Sequence, residues 1–136
     1  MNNPAFRDAA LLILRVALGV VFIAHGWDKV FHVGAEETAQ QWASMHIPQP
    51  TLSVWVVAVV EMLGGALLVL GFLTPAAAGV LALDMVAAFY FVHMGNGLFV
   101  AEGGSELVIV LFATCLVLVV FGAGRASLDK ALSRFG

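Results

Sequence analysis

The stretch Ser53-Val-Trp-Val-Val-Ala-Val-Val-Glu61-Met-Leu-Gly-Gly-Ala-Leu-Leu-Val-Leu-Gly-Phe72 contains one charged side chain, Glu61, in an otherwise apolar run. About 20 such residues make a helix long enough to cross the hydrocarbon of a bilayer. Three comparable runs lie at about 9–24, 76–93 and 105–121, and they carry Arg15, Asp84 and, at the edge of the last, Glu106. The whole chain of 136 residues is 62% hydrophobic and 11% charged, with a mean hydropathy of +1.02. Soluble domains are apolar in about half of their residues, so this composition belongs to an integral membrane protein.

Backbone groups in hydrocarbon must be satisfied within the spanning element, and four strands are too few to close a barrel. The expected fold is therefore all-α, a four-helix membrane bundle forming a single domain over 1–136. An outer loop over about 30–52 contains a short helix from Ala35 to His46, and a tail over 122–136 follows the fourth span. Arg15 lies inside the first apolar run and no small-residue cleavage site follows it, so that run is expected to remain as a span rather than to be removed as a leader. Arg7, Arg125, Lys130 and Arg134 flank one face, whereas Lys29 stands on the other with Glu36, Glu37 and Glu102. Orientation follows Lys and Arg near the spans, so both termini are expected on the cytoplasmic side, with Trp27, Trp42 and Trp55 at the opposite boundary. The inner membrane of a bacterium is the expected location. With six Lys and Arg against nine Asp and Glu, no nucleic-acid partner is expected.

Ionisable residues inside a span cost roughly 2.5 to 3.5 kcal/mol each on insertion scales, and they mark a site by default. Counting about 1.5 Å per residue from the cytoplasmic ends puts Arg15, Asp84 and Glu61 about 9, 12 and 16 Å deep, in one middle layer. Two carboxylates against one guanidinium leave a negative charge over, which a proton, a cation or a ligand would balance. His25, His93 and Glu106 fall near 24 Å by the same count, roughly, with Asp28 and Lys29 just beyond. Arg15, Gly19, Phe22, Gly26 and Lys29 share one stripe of the first helix, and Gly64 and Gly65 follow Glu61 by about one turn, where small residues let helices approach. His93 is half a turn from Asp84 if the third helix stays regular. Glu61, Asp84 and His25 are the expected proton-handling residues. Arg15, Lys29, Glu106 and His93 are the expected binding residues.

Each of these residues also has a plainer explanation. Arg15 with a carboxylate can be an ion pair that fixes helix register, His93 can meet headgroups at a helix exit, and Glu106 can favour the start of its helix. No haem, flavin or metal motif is recognisable, although His25, Glu106 and Asp28 offer ligand chemistry without a known spacing. The single Cys115 has no second cysteine to pair with, so thiol chemistry would belong to a partner. In the outer loop Trp42 and Met45 are expected to rest on lipid while Glu36, Glu37, Gln40 and Gln41 face water, and the segment either closes the bundle or acts as a lid. Ser127 is expected to cap a short tail helix.

The ordered set Leu14-Arg15 with Leu18-Gly19, His25-Gly26 with Lys29, Glu61 with Gly64-Gly65, and Gly122, Gly124 with Ser127-Leu128-Asp129 resembles the DoxX family of small four-helix membrane proteins. Ala123 stands where that family often has proline. The resemblance implies a bacterial inner-membrane protein linked to redox chemistry, related to the membrane subunit of thiosulfate:quinone oxidoreductase. It further implies quinone as the cofactor and a peripheral thiol, sulfur or oxidative-stress enzyme as partner. Arg15, His25, Lys29 and Glu61 carry over from its motifs. A small-cation or metabolite transporter and a non-catalytic organiser of a membrane complex are the alternatives. Four spans make a small transporter, which a homo-oligomer would enlarge.

Overall fold

The computed structural model describes residues 4–93, 106–122 and 127–133. Helix α1 (Pro4–Trp27) continues into a π-helical turn (Asp28–His32), and α2 (Ala35–Ser44) lies across the same end of the molecule. Helices α3 (Pro50–Leu70) and α4 (Thr74–Ala88) follow, and α4 passes into a second π-helical turn (Phe89–His93). Helix α5 (Glu106–Phe121) and the short α6 (Leu128–Ser133) complete the described chain. α1 packs on α3, α3 on α4, α4 on α5 and α5 back on α1, a closed ring of four helices. No strand occurs among the described residues.

The burial pattern is that of a protein in lipid. Small and branched residues such as Ala78, Leu68, Leu81 and Leu118 are fully enclosed, while Ile13, Leu83 and Val120 are more than two-thirds exposed on the outside. Among the described residues three helices are long and apolar enough to span, Pro4–His32, Pro50–Leu70 and Thr74–Phe91, and Leu107–Phe121 is a shorter apolar helix. The chain is a multi-pass membrane protein. The first helix runs farther at both ends than the expected 9–24 because Pro4 is tolerated in a first turn and the π-turn carries the helix through Asp28 and Lys29.

Lipid tails are as apolar as leucine, so helices associate here through close packing rather than by a hydrophobic drive. Among the spanning helices, α1 and α3 approach backbone to backbone. A Cβ on Gly19 would stand 2.5 Å from Gly65 O, and one on Gly65 would stand 2.5 Å from Gly19 O. Gly26 repeats the contact two turns on, where a Cβ would meet Ala58 O at 2.7 Å. Gly64 turns the other way and faces Leu81 of α4. The expected approach of small residues is present, and it sets an antiparallel register in which Gly71 is level with Arg15 and Glu61 with His25.

At the end holding both Pro4 and α6, the tail closes the turn between α3 and α4. Gly71, at φ 72°, ends α3, and it lies against Ser127 and the Arg15 guanidinium. The Asp129 N–H donates to Gly71 O at 2.8 Å. Leu73 and Thr74 N–H donate to the two Asp129 oxygens at 2.7 and 2.8 Å. A carboxylate 55 residues away in sequence thus caps α4, whose own N-cap, Leu73, sits at φ 51° and has no side chain able to do so. Ser127 Oγ accepts from Lys130 N–H at 3.1 Å, the expected cap of the tail helix.

Asp129→Ala is expected to lower stability by about 1–2 kcal/mol through loss of this cap, read as an earlier thermal unfolding midpoint in detergent. Gly65→Leu should cost about 1–3 kcal/mol or more by overpacking the α1–α3 contact, while Gly79→Leu, at an open position where a Cβ meets nothing, should leave the midpoint close to that of the wild type.

Candidate functional site

Arg15, Glu61 and Asp84 do not share a layer. Arg15 is buried, with its guanidinium against Gly71 and near enough to Asp129 for electrostatic attraction. Along the α1–α3 register it stands about ten residues, or about 15 Å, from the level of Glu61. Depth counted from the end of each apolar run puts Arg15 too close to Glu61, because α1 projects beyond the α3–α4 turn, so the ends of the two helices are not level and Arg15 lies beside Gly71 at the end of α3.

The cation beside Glu61 is Lys29. Lys29 Nζ donates to Glu61 Oε1 at 2.6 Å, with side-chain exposures of 20% and 4%. Side chains on a helix tilt toward its N-terminus, so Lys29, placed near the outer boundary, leans back into the bundle along its own stem. Its ammonium also approaches His25 O at 3.4 Å. The π-turn is pinned by α2, where the buried Thr38 donates its hydroxyl to Lys29 O at 2.8 Å. Breaking a buried pair by removing one partner typically costs about 3–5 kcal/mol because the other charge is stranded. Lys29 therefore holds the Glu61 carboxyl in place.

Asp84 approaches from α4 and lies within hydrogen-bonding reach of the Glu61 carboxyl. Its Oδ2 is buried, and no hydrogen-bond partner for it is found among the described residues. His25 donates Nδ1–H to Val21 O at 2.8 Å, which leaves Nε2 as the acceptor of the neutral ring. His25, Lys29, Glu61 and Asp84 all border one cavity of about 490 Å³. Phe22, Val57, Met85, Phe91 and Leu111 form its apolar walls, and Trp42, Ile47, Pro48 and Ser53 close it from the α2 side. A volume in the range of small-molecule sites, apolar walls and a few convergent polar groups are the general properties of a ligand pocket.

Trp42 is half-buried and turned inward, not laid on lipid as expected. A cluster of Val30, Ala39, Val54 and Ala58 holds α2 against α3, with Trp42 packed on it. Met45 is exposed, and Glu36, Glu37, Gln40 and Gln41 are on the outer face as expected. Asp28 pairs with His32 at 2.7 Å, not with His25. Among the described residues no three His, Cys, Asp or Glu side chains gather as metal ligands.

The side chains of His93 and Glu106 lie outside the described part of the chain. The backbone at Phe89–His93 is π-helical, so an extrapolation of about 100° per residue from Asp84 to His93 does not apply. π-turns border functional sites often, and here one supplies Lys29 and the other Phe91. The apolar walls and the closing residues Ile47, Pro48 and Ser53 were not legible as site residues. Lys29 was, since it shares the stripe of Arg15, Gly19, Phe22 and Gly26 and matches the motif of the family that the chain resembles.

The chain is similar to known proteins along almost all of its length. The family model DoxX matches residues 10–94, which include His25, Lys29, Glu61 and Asp84. An uncharacterised protein of Haemophilus influenzae is 34% identical over 134 residues, covering 96% of each chain. A Bacillus subtilis protein named "Putative oxidoreductase CatD" is 30% identical over 127 residues, 93% of this chain and 89% of that one. Inner membrane protein YphA of Escherichia coli is 29% identical over 136 residues, 93% of this chain and 92% of that one. No solved structure matches. With a family model spanning well over half of the chain, and a relative 34% identical along almost all of it, the chain belongs to the DoxX family.

Proposed function

We propose that the protein is the membrane subunit of a redox system that binds a quinone in the cavity between its helices and couples a thiol- or sulfur-bearing partner to the quinone pool. The observation that carries this reading is the 490 Å³ cavity with apolar walls and one polar end made of Lys29, Glu61 and Asp84. A quinone supplies reversible reduction of its two carbonyls by two electrons and two protons. Oxidation of a dithiol to a disulfide releases two electrons and two protons, so the two chemistries balance. Cys115 is a lone buried thiol, and the dithiol is therefore assigned to the partner.

The residues divide this work by their chemistry. Phe22, Phe91 and Leu111 offer a surface for an apolar ring and keep water from it. Lys29 has N–H donors beyond the one given to Glu61, and these can orient a carbonyl oxygen. Glu61, Asp84 and His25 are ionisable groups beside an apolar pocket, suited to storing and moving protons. The names of two relatives, one an oxidoreductase and one an inner membrane protein, support the redox reading and an inner-membrane location. With Lys and Arg concentrated at the α6 end, that end is assigned to the cytoplasm and the α2 end to the outer side.

Native mass spectrometry of protein extracted gently from its own membrane is expected to find retained quinone, and a phenylalanine in place of the cavity-lining Ala88 (Ala88→Phe) is expected to abolish it. Wild-type protein that retains none and fails to take up added decylubiquinone would overturn the reading. Glu61→Gln is expected to fold, judged by helical circular dichroism and size-exclusion behaviour, yet lose quinone-linked turnover by about a hundredfold or more. A cation flux in liposomes that Glu61→Gln abolishes, with no quinone bound, would favour transport instead.

A further inference from the structure

The polar end of the cavity has more acceptors than donors. Lys29 brings one positive charge and gives its shortest bond to Glu61 Oε1. Asp84 adds a second carboxyl within hydrogen-bonding reach of the first, with Oδ2 buried and lacking a partner among the described residues. Ionised carboxylates accept hydrogen bonds and never donate them. Two of them side by side have nothing between them except repulsion, about 4 kcal/mol at 4 Å for an effective dielectric constant near 20. A single proton turns that contact into a charge-assisted O–H···O bond and brings Lys29, Glu61 and Asp84 to neutrality.

Among the described residues the surroundings supply no other counter-charge. From α1 the groups facing Asp84 are Lys29, already paired, and His25, whose Nδ1 is taken by Val21 O. From α3 there is Glu61, and from α5 the buried Cys115 thiol. The α2 side contributes Trp42, Ile47 and Pro48, none of them titratable. Glu61 is the carboxyl in contact with the ammonium, so its anion is the one held in place and Asp84 is the natural carrier of the proton.

We propose that Glu61 and Asp84 share one proton carried on Asp84, whose O–H is a hydrogen-bond donor to the cavity, so that the site receives uncharged molecules through a carbonyl oxygen and refuses anions. The ligand preference rests on the cavity being the ligand site proposed above, and the shared proton does not. Asp84 is thereby distinguished from Glu61. One carboxyl is a fixed counter-ion and the other is an acid that can turn from its neighbour to an incoming carbonyl.

Infrared spectroscopy of the full chain in lipid nanodiscs at neutral pH tests the proton without any ligand. The wild type is expected to show the carbonyl-stretch band of a buried carboxylic acid. That band should be absent from Asp84→Asn, which has no acid left, and from Glu61→Gln, in which Asp84 becomes the sole counter-ion of Lys29 and ionises. Either variant suffices if the other does not fold. No band in the wild type, or a band that survives both substitutions, overturns the proposal. Added decylubiquinone should then shift the band to lower frequency, and benzoate in large excess should fail to displace it. An unshifted band with quinone bound, or displacement by benzoate, overturns the donor role. A band present in protein that binds no quinone would support the shared proton and count against the quinone reading alone.

Discussion

The close approach of α1 and α3 at Gly19, Gly65 and Gly26 governs the rest of the molecule. In water a larger side chain at such a place would be offset by burial elsewhere, but in lipid the exposed and packed states are equally apolar. Contact distance between backbones is then what holds two helices in register. That register puts Lys29 within reach of Glu61 and, at the opposite end, Arg15 beside Gly71. A slip by one turn would move both by about 5 Å, separating the ion pair and the tail contact together.

The two buried polar clusters have different characters. Around Arg15 the guanidinium, the Gly71 carbonyl, the Asp129 carboxylate and the N-terminus of α4 meet with little space left between them. This is register and capping chemistry, and it ties the tail to the α3–α4 turn. Around Lys29 the pair sits at the edge of a cavity, with one carboxyl oxygen of Asp84 lacking a partner among the described residues. Buried ionic groups that only fix register have no use for adjoining empty space. The adjoining cavity is what distinguishes this cluster from the one around Arg15, and both occur within one short bundle.

The outer end is closed by chain elements that a hydropathy profile treats as a loop. α2 is anchored by Thr38 to the π-turn that carries Lys29, and its Trp42 reaches the cavity together with Ile47 and Pro48. The same hydroxyl-to-carbonyl bond joins the cover to the residue that holds Glu61. Movement of α2 and the position of the ammonium are therefore linked through a single turn of backbone.

Much of the architecture was legible one segment at a time. Apolar runs near bilayer length, Gly64-Gly65 after Glu61 and Ser127 at the start of the tail helix act through neighbours a few residues away, so their consequences can be read locally. The stripe of Arg15, Gly19, Phe22, Gly26 and Lys29 was likewise a correct face of α1, and all of its members but Lys29 are buried. The pairing of charges was not legible. A helix face says toward which neighbour a side chain points, but the axial register between two helices depends on backbone contacts between residues far apart in the chain. Arg15 was accordingly assigned to the carboxylates, while Asp129, 55 residues beyond the N–H groups it caps, gave no local sign of its role. The inward turn of Trp42 and the π-turns at Asp28–His32 and Phe89–His93 arise in the same way, from packing across the outer end. Sequence alone determined that four apolar helices would hold ionisable groups away from water. Tertiary structure decided which of those groups meet and which of them border a cavity, because ion pairs and cavities are set by distances across helices that no single helix contains.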